Sequence, residues 1–85
     1  MDPTQLIQDG TTFASKAVAN DKQNNHKLAH FFYMEAAEAI LKALTLDRSL
    51  DPLKVKVAQY IERAEVLQAI IGFYITYYLL FFFYS

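Results

Sequence analysis

The octapeptide Tyr60-Ile61-Glu62-Arg63-Ala64-Glu65-Val66-Leu67 constrains this chain more than any other stretch. Apolar residues recur there at three- and four-residue spacing, which puts Tyr60, Ala64 and Leu67 on one helical face with Ile61 beside them. Glu62 and Glu65, three apart, fall on a neighbouring face. An apolar stripe edged with acid suits packing in a bundle, and it also suits a groove that receives a basic, leucine-rich helix. The stripe then runs into sequence of another kind. No charge follows Glu65, so residues 66–85 are wholly uncharged.

The same periodicity extends upstream. Two Asp-Pro pairs, Asp2-Pro3 and Asp51-Pro52, each read as an N-cap followed by proline at the first helical position. The first helix is expected over residues 3–20, where Leu6, Ile7, Gly10, Phe13, Ala14, Ala17 and Val18 recur. The polar run at 20–25 breaks it. A second helix is expected over residues 26–45, with a broad apolar face from Leu28 to Leu44 that suits contact with two neighbours. Glu38 and Lys42 are spaced to pair along it. The third helix is expected from Pro52, with Leu53, Val57, Tyr60, Ile61, Ala64, Leu67 and Ile71 as its inner stripe. Short connections make neighbours antiparallel, so the expected fold is all-α, an antiparallel three-helix bundle with an apolar aromatic extension. Asp21 and Arg63 are candidates to pair across the bundle, a contact worth little at a surface.

Composition excludes several function classes. Eighty-five residues make one domain at most. The absence of cysteine removes disulfides, thiolate metal sites and a cysteine nucleophile. A net charge of −1 makes no electrostatic case for nucleic acid. The first residues lack the basic and apolar regions of a signal peptide. His26 and His30 have metal-ligand spacing, but no third ligand is evident nearby, so they read as two ordinary histidines. With no phosphate loop, nucleophile elbow or acid–base set, the sequence implies no catalytic residue, no metal and no cofactor.

Ala17 and Asp21 closing the first helix, the element Ala29-x3-Tyr33-x2-Ala36, and Tyr60-x2-Arg63-Ala64-Glu65-x-Leu67 together resemble the MIT domain (microtubule-interacting and trafficking) over residues 4–71. Phe13-Ala14, Ala17-Val18 and Phe32-Tyr33-x-Glu35-Ala36-Ala37 look most like the N-terminal MIT module of the MIT-bearing calpains. Ala29, Tyr33 and Ala36 also suit a tetratricopeptide hairpin, but no ~34-residue repeat exists. The resemblance implies a three-helix interaction module, cytoplasmic and endosome-associated, that binds the C-terminal tails of ESCRT-III-type proteins. Any protease chemistry would lie outside these residues. It also implies two ligand seats. Ala37, Leu41, Leu44, Ile61, Glu62 and Glu65 would form a groove between helices two and three for a short amphipathic helix. Gly10, Ala14 and Ala17 would accept an extended segment between helices one and three. His26 departs from the tyrosine frequent at that position of the family.

The tail has its own readings. Eight of the thirteen aromatics lie in residues 73–84. The composition changes at Gly72, so the expected division is a bundle over 1–71 and a hydrophobic tail over 72–85. Residues 66–85 would just span a ~30 Å hydrocarbon layer, which makes a tail-anchored membrane adaptor the alternative function. Against it, Tyr74, Tyr77 and Tyr78 would sit deep, and the near flank, Glu62-Arg63-Ala64-Glu65, is not basic. A truncated or alternatively spliced terminus foreign to the family module is the leading reading, and a tail that packs back on the bundle or self-associates is the remaining one.

Overall fold

The computed structural model describes residues 2–84. Three α-helices, joined by one polar turn and one 3-10 turn, form an antiparallel bundle: α1 (Pro3–Lys22), α2 (His26–Leu46) and α3 (Lys54–Tyr84), with the 3-10 turn at Arg48–Leu53. The all-α bundle expected from the periodicity is the one observed.

Each helix end has a local cause. Asp2 caps α1, its carboxylate accepting a hydrogen bond from the backbone N–H of Gln5 at 2.9 Å, with Pro3 at the first position. The other end of α1 lies two residues past the expected stop. Asn24 takes a left-handed φ of 60°. The N–H of Asn25 then reaches the carbonyl of Asn20, and that of Asn24 the carbonyl of Asp21. This is a Schellman closure, with asparagine supplying the conformation that glycine usually supplies.

The second Asp-Pro pair behaves differently from the first. Asp47, not Asp51, is the cap, accepting from the N–H and hydroxyl of Ser49 at 2.9 and 2.7 Å. Pro52 lies inside the 3-10 turn, and α3 begins at Lys54. Packing explains the early, tight start. Leu50 and Leu53 fold onto the buried cluster of Ala37, Ile40, Leu44 and Val57, which an extended approach to Asp51 would leave uncovered.

The middle helix is the hub. α2 packs against α1 on one flank and α3 on the other. Small residues set its distance from α1. A Cβ added at Gly10 would stand 2.9 Å from Ile40 Cγ1 and 3.3 Å from the carbonyl oxygen of Ala36, so only glycine allows this approach without a shift. The upper core joins Ala17, Ala29, Tyr33, Ala64 and Leu67, with Phe32 and Tyr60 against it. α3 continues unbroken through Gly72, where an added Cβ would meet nothing. From there on α3 is exposed, and the molecule measures 56 × 19 × 19 Å.

Candidate functional site

Three helices leave three seams, and each has a different chemistry. The seam between α1 and α3 is an open groove of about 720 Å³. Thr11, Ala14, Ser15 and Val18 line it from α1, and Lys56 and Tyr60 from α3, with Lys22 at one end. It stays open because α1 and α3 both lean on α2 rather than on each other. Its lining combines small and apolar side chains with two amines, so it suits an extended chain bearing apolar residues and acid.

Only Ala14 of the three expected small residues lies on this groove. Ala17 is fully buried among Ala29, Tyr33, Ala64 and Leu67. Gly10 faces α2. Both stand where helices approach closely. The residues missed, Thr11, Ser15, Val18 and Lys22, follow one another at four-, three- and four-residue spacing. That row is legible in the sequence, one step round the helix from the buried row of Gly10, Ala14 and Ala17.

The α2–α3 side divides its expected residues. Ala37 and Leu44 are buried in the cluster with Ile40 and Val57, and Leu44 also borders the depression beside Leu41. Leu41 is 44% exposed. It opens into a depression of about 510 Å³ together with Leu44, Thr45, Arg48, Asp51 and Lys54. Ile61 is half-buried against the same cluster, and Glu62 and Glu65 are exposed. Glu65 stands one turn along from Ile61 on the same side, whereas Glu62, the next residue, is turned by ~100°. A third depression, of about 530 Å³, lies between α1 and α2 around Leu6, Phe13, Glu35 and Lys42. Lys42 is paired there with Glu38 at 3.1 Å.

A polar tie holds the three helices at one level. Arg63 of α3 donates from Nε and Nη2 to the two carboxylate oxygens of Asp21 in α1, at 2.7 and 2.8 Å. The Tyr33 hydroxyl of α2 donates to the same carboxylate at 3.1 Å. The Arg63 hydrogen bonds hold the Asp21 carboxyl below its ordinary pKa; burial opposes them and the Tyr33 hydrogen bond assists. Burial, then the bond to Asp21, pushes the Tyr33 hydroxyl up. The pairing anticipated from the sequence is therefore a forked, three-helix contact, with Asp21 only 15% exposed. His26 and His30 gather no partners for an ion, since no group of three or more metal-ligating side chains forms among the described residues. The His26 ring instead stacks on Tyr74 at 6.3 Å.

A three-helix bundle with open seams on either side of α3 and a tied upper end defines a helical protein-interaction module. The chain belongs to the MIT (microtubule interacting and transport) domain family, whose model matches residues 7–69. Calpain-7 of Homo sapiens is 36% identical over 69 residues, covering 81% of this chain and 8% of its own length. The calpain-7 proteins of Mus musculus and Sus scrofa are each 35% identical over the same extent. The chain thus spans 8% of the length of the curated relatives it matches. No solved structure matches it at comparable strength.

Proposed function

We propose that this module brings the protein that carries it to ESCRT-III-type assemblies, at cytoplasmic, endosome-associated sites, by binding their C-terminal tails. The observation that supports this reading is the open α1–α3 groove, lined by Ala14 and Val18 together with the amines of Lys22 and Lys56. An extended tail carrying apolar residues flanked by acid is its natural occupant. Leu41 and Ile61, with Glu65 on the Ile61 side, offer a second seat to an amphipathic helix with basic flanks.

The strength follows from the area on offer. Each apolar side chain fully buried contributes ~1.5–3 kcal/mol before ordering costs. Rim ion pairs add ~0.2–1 kcal/mol and set the register. The sum is roughly micromolar, weak for one tail and effective against a polymer that presents many.

Titration calorimetry with synthetic ESCRT-III-type tails of both classes is the test. Val18→Asp puts a carboxylate on the lining of the α1–α3 groove, where it would repel an acidic tail, so the extended tail should bind at least ~10-fold more weakly, a loss of ~1.4 kcal/mol. Leu41→Asp, at a largely exposed position, should leave that tail untouched and weaken the helical one. Failure of both tails to bind the unaltered chain, or indifference of both to these variants, would overturn the proposal.

A further inference from the structure

The helix beyond the bundle is apolar on every side. Residues 73–84 include no charged side chain, and each apolar one among them is at least half exposed, from 50% at Tyr74 and Ile75 to 85% at Tyr84. Docking on a protein needs one apolar face, and a second copy would cover one face and leave the other in water. A helix apolar all round needs an environment that is apolar all round. Its single non-tyrosine hydroxyl is already satisfied within the helix, Thr76 donating to the Gly72 carbonyl at 2.8 Å, as a hydrocarbon surrounding requires. By length and composition, the helical stretch Arg48–Tyr84 is long and apolar enough to cross a membrane.

The bundle also supplies what the sequence around α3 lacks. The stacking of His26 on Tyr74 sets the α1–α2 turn beside α3 at the point where it leaves the bundle. Lys22, the last residue of α1, and Lys27, the second of α2, flank that turn and are both exposed. The acid nearest the turn, Asp21, is neutralised by Arg63. The acids of α3, Glu62 and Glu65, lie two to three turns below Gly72. Two exposed amines therefore flank a turn that stands beside the root of the apolar helix, although they are ~40–50 residues distant from it in the chain. The tyrosines sit correctly for a headgroup layer as well. Tyr74, Tyr77 and Tyr78 occupy the turns next to the collar, and Leu79, Leu80, Phe81, Phe82 and Phe83 lie beyond them.

We propose that residues 73–84 insert into a lipid bilayer, with Lys22 and Lys27 seated on anionic headgroups and Tyr74, Tyr77 and Tyr78 at the interface. From Gly72 to Tyr84 the helix extends ~20 Å at 1.5 Å per residue, which carries Phe81–Phe83 past the headgroups and into the hydrocarbon of a layer ~30 Å thick. The bundle then lies against the membrane surface with its seams open to the side.

The chain has no tryptophan, so Phe82→Trp gives a single reporter in the full chain. On phosphatidylcholine vesicles containing phosphatidylserine, its emission should shift to the blue and be quenched by lipids brominated in the acyl chain. The pair Lys22→Gln with Lys27→Gln should weaken binding to these vesicles ~10- to 30-fold, at about five-fold per lysine, and leave binding to pure phosphatidylcholine unchanged. A structural role for the lysines would not depend on lipid charge. Water-like emission with both vesicle types overturns the insertion. So does a blue shift without lipid that tracks protein concentration, the mark of self-association. Binding of the lysine variant to the phosphatidylserine vesicles as strongly as the unaltered chain binds them overturns the headgroup contact.

Discussion

The Asp21 carboxylate touches all three helices through one network, with Arg63 in a forked pair and Tyr33 as a third partner. Water reaches Arg63, which is 43% exposed, so the pair is screened on one side. Arg63→Ala should therefore cost about 1–2 kcal/mol, at the low end for hydrogen bonds to charge, measured by urea denaturation. Arg63→Lys should recover only part of it, since an amine cannot form the fork. The pH dependence has a definite sign. The folded-state pKa of Asp21 is lowered, so its contribution is complete above the ordinary carboxylate value of about 3.9 and is lost as pH falls through the lower folded-state value. Acid denaturation of the Arg63→Ala protein should show a shallower loss in that range. An unchanged acid limb would mean that the pair does not couple to folding. The residue types needed for this contact were visible in the sequence, but their burial and their third partner were not, because Asp21 and Arg63 are brought together only by the packing of α1 and α3 on α2.

α3 is one helix with two environments. Leu67 is fully buried and is the largest such side chain in the molecule. Phe82, on the same helix, is 83% exposed. Leu67→Ala should destabilise by about 2.7–5 kcal/mol, enough to unfold much of a bundle this small, as read by thermal circular dichroism. Phe82→Ser should change bundle stability by less than about 0.5 kcal/mol in the same experiment. A comparable cost for both would mean that the outer helix packs on something in water. Helical periodicity located this element, and the change in composition at Gly72 marks where its packing ends. The backbone takes no notice of that change, because neither glycine nor a run of aromatics breaks a helix already nucleated by the bundle.

Across the whole molecule, protection should follow packing. α2 touches both neighbours, while residues 73–84 have only their own helical bonds. Amide hydrogen exchange should be slowest in α2 around Ala36 and Ala43, intermediate in α1, and fast beyond Gly72 in dilute aqueous buffer. Protection that is uniform from Lys54 to Tyr84 would contradict this gradient. The 56 Å long axis reflects the same asymmetry, a bundle extended at one end by a helix without a neighbour.

The sequence by itself determined the helical class, the cap at Asp2, the buried stripe through Ala64 and Leu67, and the family. These are properties of spacing and local chemistry, and spacing along one helix is enough to state them. It did not determine which small residues face a groove, because Gly10, Ala14 and Ala17 share a row and only the tilt of α1 on α2 separates them. It did not place the cap of the third helical segment, because Leu50 and Leu53 pull the chain into a tight turn that contains Pro52. Nor did it show two amines flanking the turn beside the apolar helix, since His26 meets Tyr74 only through the antiparallel return of the chain. Contacts between distant segments depend on how helices tilt and where turns close, and only the folded bundle decides that.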